Sequence, residues 1–455
     1  MAFASINPAT GKKIRSFREY TKKEVEARLA RARETFSTWG ELTFEKRAAL
    51  LCKVATVLRE RKETYARLIT DEMGKPVTQA LLEIERCALC CEFYARHAEE
   101  FLKPERSPAA RPGGYVVYRP MGTLLAIMPW NFPFWQAFRA AAPALMAGNV
   151  VILKHASNVS ACALAIEESF LMAGLPAGAF STLLISTAKL QKVIADPRVA
   201  AVTLTGSTAA GKAVAAQAGA AMKKGVFELG GSDPYLILAD ADIDEAAEIC
   251  AKARLINSGQ SCVCAKRFIV VEKVRAVFEE KFVAGLAARI VGSPTESKTE
   301  VGPIARADLR DELHSQVVKS VKRGAKILLG GKLPAGAGYY YPPTVLTNVR
   351  KGMPAYDEEL FGPVAAIIPV KNEAQAIEVA NDSIYGLGAA VFTKDRERGE
   401  KIAVEKLHAG LAAVNDSVKS DPALPFGGIK QSGYGRELGS HGIREFVIAK
   451  TITVR

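Results

Sequence analysis

The chain of 455 residues is longer than one hydrophobic core usually organises, so its length predicts two or three domains. Hydrophobic residues form 49% of it and charged residues 24%, a composition that is typical of globular proteins and excludes an intrinsically disordered chain. The net charge of +13 comes from lysines and arginines that are interleaved with acids, and no nucleic-acid-binding motif accompanies them. The charge therefore predicts a surface that favours anionic ligands, and no nucleic-acid partner.

Neither the first residues nor the apolar runs indicate a membrane or an export route. The chain starts without a basic segment followed by an apolar one, and no apolar run reaches the roughly 20 residues of a membrane helix. We therefore expect a cytoplasmic protein, without a membrane partner, whose eight cysteines are reduced thiols. Cys87-x-x-Cys90-Cys91 has no second pair of Cys or His at zinc spacing, so we expect buried thiols on a helix and no metal site.

Amphipathic helices are predicted for the first hundred residues. The string Thr21–Glu24 is a capping box, and the helix that it begins carries apolar residues at helical spacing. Two further helical runs cover about 44–72 and 76–102. The segment 104–114 is rich in proline and glycine and predicts a break, after which residues 115–129 alternate like one or two strands.

From about residue 140 the pattern changes to short apolar runs that alternate with helices. The predicted strands lie at 150–153, 181–185, 201–204, 225–228 and 235–238, and the predicted helices lie near 159–173, 188–195 and 208–221. Such alternation indicates a doubly wound parallel sheet. A second α/β set is expected after about residue 240, where Asp242–Glu245 resembles another helix start, and residues 450–455 predict a terminal strand.

Two features lie where open α/β sheets bind ligands, at the carboxyl ends of predicted strands. The strand 201–204 runs into Thr205–Gly211, whose free amides and following helix N-terminus could receive a pyrophosphate. Glycine that is needed only for a tight turn is the alternative. Lys154 ends the strand 150–153, where it is either a ligand-binding cation or a solvated lysine.

Three further residues are candidates for catalysis. Cys262 follows the small, polar turn Gly259–Ser261, whose amides could point at its sulfur, and a helix that begins nearby would lower the pKa of the thiol. Glu228 precedes two glycines, and Asn131 lies in a turn bracketed by prolines. Taken one at a time, each has a simpler interpretation: a core cysteine, a surface acid and a turn-forming asparagine.

Six ordered strings give these residues a common context. They are Pro-Trp-Asn-Phe-Pro (129–133), Gly-Ser-Thr-x-x-Gly (206–211), Glu-Leu-Gly-Gly (228–231), Gly-Gln-Ser-Cys (259–262), Glu-Leu-Phe-Gly-Pro (359–363) and Pro-Phe-Gly-Gly-Ile-Lys-x-Ser-Gly (425–433). Through these strings the chain resembles the NAD(P)-dependent aldehyde dehydrogenases, and the resemblance runs nearly from end to end.

The resemblance implies an α/β fold with three parts: a Rossmann-like cofactor domain, an α/β catalytic domain and a small β arm for oligomerisation. We expect the cofactor domain in residues 1–111 and 131–228, the catalytic domain in 229–432, and the arm in 112–130 and 433–455. A homodimer or homotetramer is expected.

The resemblance also implies a reaction, the oxidation of an aldehyde to a carboxylate. Cys262 would attack the aldehyde to give a thiohemiacetal and later a thioester, Asn131 and the Cys262 amide would bind the oxyanion, and Glu228 would activate water. The presence of Glu228 argues against the CoA-acylating branch, whose members typically lack it. The cofactor-binding residues that the resemblance implies are Trp130, Lys154, Ser157, Gly206, Ser207, Glu359 and Phe361.

The residue at position 157 predicts which cofactor is preferred. Members of the family that prefer NAD commonly carry a glutamate three residues after the lysine equivalent to Lys154, where it binds the ribose hydroxyls. Here Ser157 occupies that place. A carboxylate would repel a 2′-phosphate, whereas a serine hydroxyl can donate to it. We therefore expect NADP, with NAD as the weaker alternative.

Arg139 and Ser420 predict an aldehyde that carries a carboxylate. Arg139 lies about two turns along the helix that follows Asn131, at a spacing that succinate-semialdehyde dehydrogenases share. A structural arginine paired with a local acid is the alternative. Ser420 lies in a segment that resembles a subgroup of these enzymes, but Ile256 stands where several of them carry a second arginine. Succinate semialdehyde is the expected substrate, with glutarate semialdehyde, lactaldehyde or a catalytically inactive homologue as the alternatives.

Cys264 lies two residues from Cys262 and is a candidate redox partner through a regulatory disulfide. A disulfide between them would require the loop to flex. A packed thiol is therefore the alternative.

Overall fold

The computed structural model describes residues 2–106 and 113–454 as alternating helices and strands. The α-helices are α1 (Lys22–Trp39), α2 (Phe44–Glu60), α3 (Lys62–Met73), α4 (Val77–Phe101), α5 (Pro133–Met146), α6 (Ser160–Met172), α7 (Thr187–Ala195), α8 (Thr208–Ala220), α9 (Ile243–Leu255), α10 (Glu272–Ala287), α11 (Ala307–Lys322), α12 (Pro354–Asp357), α13 (Glu373–Asn381), α14 (Arg396–Glu405) and α15 (Gly439–Glu445). The strands are β1 (Ala2–Ile6), β2 (Lys13–Arg18), β3 (Gly114–Pro120), β4 (Thr123–Met128), β5 (Val150–His155), β6 (Phe180–Thr182), β7 (Val199–Thr205), β8 (Lys224–Glu228), β9 (Asp233–Ile237), β10 (Ala265–Val271), β11 (Lys326–Leu329), β12 (Thr344–Thr347), β13 (Val364–Val370), β14 (Gly388–Phe392), β15 (Leu411–Val414), β16 (Gly433–Tyr434) and β17 (Val447–Thr453).

The first α/β unit is built on a six-stranded sheet in the order β16-β8-β7-β4-β5-β6. Its strands run parallel except for the short edge strand β16, which pairs antiparallel with β8. Every residue of β4, β5 and β6 is buried, as expected for parallel strands that helices cover on both faces. The parallel sheet that the alternating pattern predicts is therefore confirmed.

The second α/β unit is built on a seven-stranded sheet in the order β11-β12-β13-β10-β9-β14-β15. It is parallel apart from β11, which pairs antiparallel with β12 at one edge. Strand β9, which the sequence pattern grouped with the first set, lies instead near the centre of this second sheet, between β10 and β14. The chain therefore changes sheets between Glu228 and Asp233.

A two-stranded antiparallel ribbon of β3 and β17 lies outside both sheets, with Gly114 opposite Thr453 and Pro120 opposite Val447. We expected the whole of 112–130 in this arm, but β4 pairs with β5 and β7 in the six-stranded sheet. All six residues of β4 are buried, so this strand suits the interior of the sheet rather than an arm outside it. Likewise β16, the start of the expected 433–455 segment, belongs to the six-stranded sheet.

The other expected domain limits stay predictions. The expected boundary between residues 111 and 112 lies outside the described residues.

Helix α5 passes through the centre of the first unit, and all of its residues are buried. The first amides of this helix, those of Phe134 and Trp135, donate to Oε1 of Glu83 at 2.9 and 3.0 Å. Glu83 is itself paired with Lys75, and both side chains are buried. Because Asn131 lies just before α5, this anchor fixes the segment that carries it.

Two broader features of the described residues bear on function. Within 2–106 and 113–454, no helix combines the length and the hydropathy that crossing a bilayer needs. In the same ranges no group of three His, Cys, Asp or Glu side chains could hold a metal ion. Cys87, Cys90 and Cys91 are free thiols buried on α4.

Replacing Glu83 with alanine is expected to destabilise the protein strongly. It leaves the ammonium of Lys75 buried without its partner and removes the acceptor of two amides of α5, a combination that typically costs about 3–5 kcal/mol. The free energy of unfolding in urea measures the effect. Glu99→Ala, an exposed change on the same helix α4, should stay within about 0.5 kcal/mol of the parent. Equal stability of the two variants would contradict this account of the anchor.

Candidate functional site

A cavity of about 430 Å³, called the main cavity below because Cys262 and Asn131 line it, lies at the carboxyl ends of β4, β7 and β8. This is the edge at which open α/β sheets bind ligands. The second unit closes the cavity with the loop after α9 and with the segment that follows α12. Seven of the residues singled out in the sequence line it: Trp130, Asn131, Gly206, Ser207, Cys262, Glu359 and Phe361.

The loop that carries Cys262 has an unusual backbone. Asn257, Ser258 and Gly259 all have positive φ angles, of 52°, 56° and 77°. Two consecutive non-glycine residues in this region store strain, so the surrounding structure must hold them there. A Cβ at Gly259 would lie 2.3 Å from the carbonyl oxygen of Gly362, so only glycine permits this close approach.

Arg254, the buried arginine near the end of α9, holds this loop. Its Nη2 donates to the carbonyl oxygens of Gly259 and Gly362 at 2.7 and 2.8 Å, and its Nη1 donates to that of Ala265 at 2.8 Å. The side chain of Gln260 adds a further contact by accepting from the Ala305 amide at 2.9 Å. Arg254 was not identified from the sequence, because an arginine at a helix end is usually solvated.

The Cys262 thiol lies in an environment that does not ionise it. Burial raises the pKa of the thiol to about 12, and the positive charges of Arg139 and Lys266 only partly oppose this. A helix beginning near Cys262, which would lower the thiol pKa, is also missing from this loop: α9 ends before Cys262 and strand β10 follows it. That expectation was wrong, and no helix terminus among the described residues offsets the effect of burial on the pKa of this thiol.

The side chain of Asn131 is oriented towards the Cys262 loop by three hydrogen bonds. Its Nδ2 donates to the carbonyl oxygen of Gln260 at 3.0 Å, and its Oδ1 accepts from Nε2 of Gln136 at 3.2 Å. Its main-chain carbonyl accepts from Nδ2 of Asn257 at 2.7 Å. Because a primary amide has two N–H groups, Nδ2 keeps a second N–H that makes no hydrogen bond among the described residues.

Glu228 ends β8 in a fully buried position. Burial raises the pKa of its carboxyl group well above the usual range, and the nearby carboxyl group of Glu437 raises it further, whereas Arg139 and Arg436 oppose the shift. A Cβ at Gly427 would lie only 2.5 Å from Oε1 of Glu228. Gly427 therefore leaves room for this carboxyl group. Glu437 was not identified from the sequence.

Arg139 pairs with an acid, as the structural alternative requires, and its contact with a substrate carboxylate stays a prediction. Its side chain is buried, its Nε lies 2.5 Å from Oε2 of Glu437, and its Nη2 donates to Oγ1 of Thr205 at 3.2 Å. The guanidinium also stacks over the ring of Phe426, 4.5 Å from the centroid. Arg139 is not among the lining residues of the main cavity, and its charge is compensated by Glu437.

Ser420, the other predicted carboxylate contact, is buried outside the main cavity. Its main-chain carbonyl oxygen accepts a hydrogen bond from Nη2 of Arg86 on α4. The structure therefore brings Ser420 next to an arginine, but not the one that the sequence predicted.

Glu359 is linked to the Cys262 loop through Lys266, a fully buried lysine that the sequence did not identify. Nζ of Lys266 donates to the carbonyl oxygens of Ser261 and Cys262 at 3.0 and 2.7 Å, and it lies 3.2 Å from Oε1 of Glu359. Oε1 of Glu359 also accepts from the amide of Gly231 at 3.1 Å. Through Lys266, the carboxylate of Glu359 is therefore linked to the main chain of the Cys262 loop.

The groups expected at the cofactor fit an anionic dinucleotide. Ser207 caps α8, because its Oγ accepts from the amide of Ala210, and the N-terminus of this helix borders the cavity. Lys154 is the last residue but one of β5, in a buried position where loss of hydration lowers the pKa of its ammonium group, and no carboxylate in the described ranges is close enough to raise it. Ser157 is exposed three residues later, and Trp130 packs edge-on against Phe361.

The string 206–211 therefore serves two purposes. Its first residues border the cavity, whereas a Cβ at Gly211 would lie 2.3 Å from Cδ2 of Leu229. The second glycine is thus required for packing of α8 against the sheet. The role of Gly211 is therefore helix packing rather than the tight turn that the sequence offered as the alternative, and pyrophosphate binding by Gly206 and Ser207 stays a prediction.

Cys264 is a buried thiol whose Sγ donates to the carbonyl oxygen of Ile256 at 3.4 Å. Burial raises the pKa of this thiol. This packed environment agrees with the alternative to a redox role, and the disulfide with Cys262 stays a prediction.

Comparisons with known proteins agree with this geometry. Residues 1–452 match the aldehyde dehydrogenase family. The chain is 48% identical over 454 residues to a probable succinate-semialdehyde dehydrogenase (NADP+) of Synechocystis sp., with 100% of both chains covered. It is 46% identical to the succinate semialdehyde dehydrogenase (NAD(P)+) of Escherichia coli, covering 98% of this chain and 97% of the other.

A solved structure is similarly close. The crystal structure of succinic semialdehyde dehydrogenase from Streptococcus pyogenes in complex with NADP+ superposes with a TM-score of 0.96 at 38% identity, and the match covers 100% of both chains. The fold expected from the resemblance is therefore confirmed. From its sequence, its fold and the arrangement of its cavity, the chain belongs to the aldehyde dehydrogenase family.

Proposed function

We propose that the protein oxidises succinate semialdehyde to succinate with NADP+. The observation that carries the proposal is the meeting of a thiol, Cys262, and an oriented amide, Asn131, in one cavity that the N-terminus of α8 also borders. The names of relatives that are 46–48% identical over nearly the whole chain support the choice of substrate and cofactor. Glutarate semialdehyde and lactaldehyde are the alternatives that an aldehyde panel distinguishes.

The reaction begins at the sulfur of Cys262. The thiol passes its proton to a water molecule as the sulfur attacks the aldehyde carbon, and the oxygen that becomes negative is stabilised by the remaining N–H of Asn131 Nδ2 and by the Cys262 amide. When bound, the nicotinamide of NADP+ supplies the hydride acceptor that converts the thiohemiacetal into a thioester. Glu228 then removes a proton from water, the hydroxyl oxygen forms a bond to the thioester carbon, and the C–S bond breaks to restore Cys262.

The raised pKa of Glu228 suits this last step. A carboxylate with an ordinary pKa is a weak base at neutral pH, whereas one whose pKa lies nearer the working pH accepts a proton readily. Burial and the neighbouring Glu437 are the physical causes of the shift. Glu437 therefore acts on the chemistry through Glu228, as a positioning and tuning residue.

Lys154 and Ser157 support the choice of NADP+. The ammonium of Lys154 is partly dehydrated, so pairing with a phosphate offsets the loss of water. The Ser157 hydroxyl is exposed three residues further on and can donate to the same group. Trp130, Gly206, Ser207, Glu359 and Phe361 are proposed to hold the remainder of the cofactor.

The ribbon of β3 and β17 supports a proposal on the oligomeric state. A two-stranded ribbon is only marginally stable by itself, and most side chains of β17 are exposed in the single chain. We propose that this ribbon contributes to the interface of a homodimer or homotetramer. A cytoplasmic location stays a prediction.

Replacing Glu228 with glutamine should separate the two halves of the reaction. The thioester still forms, so rapid mixing should give a burst of one NADPH per active site, followed by turnover that is roughly 100-fold slower or more because the base is lost. Absorbance at 340 nm measures both phases. Cys262→Ser is the control and should give no burst. A Glu228→Gln protein without a burst, or with normal turnover, would contradict the assignment of the base.

Replacing Ser157 with glutamate should exchange the cofactor preference. A carboxylate beside the 2′-phosphate repels it, so kcat/KM for NADP+ should fall about tenfold or more while that for NAD+ is retained or rises. Ser157→Ala, which removes only the hydroxyl, should cause a smaller loss. Steady-state kinetics with both cofactors tests this, and a parent enzyme that is more efficient with NAD+ would refute the cofactor assignment.

Replacing Glu437 with glutamine should move the pH profile. Glu437 raises the pKa of Glu228, so removal of its negative charge lowers that pKa, and the hydrolytic activity should persist to lower pH. The ascending limb of kcat against pH should shift down by roughly one unit or more. Glu405→Gln, an exposed change on α14, should leave the limb in place. An unchanged or upward shift in Glu437→Gln would disprove the coupling.

A further inference from the structure

A second cavity, of about 600 Å³, borders the same two segments that carry Asn131 and Cys262. From the first segment Phe132 and Trp135 line it, and from the second Ile256 does. The described residues that line it are all different from those of the main cavity. It therefore approaches the catalytic segments from a side that the proposed cofactor residues leave open.

Arg86, on α4, lines this second cavity. Its guanidinium carbon lies 4.6 Å from the centroid of the Trp135 ring, and its Nη2 donates to the carbonyl oxygen of Ser420. Stacking on one face and a hydrogen bond at one nitrogen fix the orientation of the group. The remaining N–H groups of the guanidinium are available for an acceptor in the cavity.

Arg86 forms no salt bridge within the described part of the chain, although the carboxylate of Glu83 is near enough to favour its charge. The other charged side chains that line the cavity form ion pairs: Glu83 with Lys75, Glu85 with Arg59 and Lys62, Lys252 with Glu248, and Arg289 with Glu300. Arg139, the other arginine of this region, is paired with Glu437. Burial lowers the pKa of the Arg86 guanidinium, and the positive charge of Arg139 lies close enough to lower it further. An anion bound at Arg86 would supply the missing salt-bridge partner and would offset the repulsion from Arg139.

We infer that Arg86 binds the carboxylate of the substrate, with the aldehyde end directed towards Cys262. The inference rests on the proposed function and adds a specificity-determining residue to it. A guanidinium with free N–H groups on one edge matches the two oxygens of a carboxylate. Trp135 and the 39% exposed Ile256 supply apolar surface for the methylene carbons between the two ends.

Steady-state kinetics of Arg86→Gln with two aldehydes of equal carbon number test the inference. For succinate semialdehyde, KM should rise roughly tenfold or more, because a hydrogen bond between charged groups is lost. For butanal, which lacks the carboxylate, KM and kcat should change less than about twofold. A merely structural role of the contact to Ser420 would affect both aldehydes alike, and that result, or an unchanged KM for both, would overturn the inference.

Arg96→Gln is the matched control. It removes the same charge from an exposed position on the same helix, and it should leave both KM values unchanged. Binding of the product provides a readout without turnover: calorimetry with succinate should show weaker binding to Arg86→Gln and parent-like binding to Arg96→Gln. Equal binding of succinate to the parent and to Arg86→Gln would also overturn the inference.

Two further variants keep the result interpretable. If Arg86→Gln does not fold, Arg86→Lys takes its place: a selective rise in KM for succinate semialdehyde supports the inference, because an ammonium does not engage both oxygens in fork geometry, and an unselective or absent change opposes it. The double variant R86Q/I256R restores a cation to the facing wall and should regain affinity for succinate semialdehyde. A parent enzyme that oxidises butanal but not succinate semialdehyde would refute the proposed function itself.

Discussion

Two buried cations that donate to main-chain carbonyls hold the catalytic loop, and the rest of the site depends on them. Arg254 binds carbonyl oxygens on both sides of the loop, and Lys266 binds those of Ser261 and Cys262. Without these donors the carbonyls would be buried unsatisfied and the two strained residues, Asn257 and Ser258, would relax. The conformation of the loop that carries Cys262 therefore depends on the buried side chains of Arg254 and Lys266.

Burial and neighbouring charges also determine the pKa of Glu228. Arg139 is shared electrostatically between Glu437, with which it pairs, and Glu228, whose pKa it lowers. Two carboxyl groups facing one arginine cannot both be fully compensated, so Glu228 is held as a stronger base than a solvated glutamate. Helix α5 carries Arg139 and follows Asn131 directly, which links the oxyanion donor and the tuning of the base through one rigid element.

The sequence strings were sufficient for the groups whose type and spacing are chemical requirements. Cys262, Asn131 and Glu359 line the main cavity as expected. What could not be predicted is what tertiary packing decides. Alternation identified β4 as a strand but not the sheet to which it belongs. The buried cations Arg254 and Lys266 look like ordinary surface residues in the sequence, and the partner of Arg139 lies far along the chain. A reactive cysteine suggested a nearby helix N-terminus, whereas the structure has a strand there.

The short strand β16 has a consequence for how the protein reaches its active state. It brings the last part of the chain back to β8, and Ser432 donates to Gly230 while Glu437 comes to face Arg139. The surroundings of Glu228 therefore include residues that the ribosome adds nearly last. Since domains form from the N-terminal side during synthesis and pairings between distant segments form late, the first α/β unit lacks its edge strand β16 until the chain is almost finished. The buried environment of Glu228 is thus completed only after the segment that carries Cys262 has been synthesised.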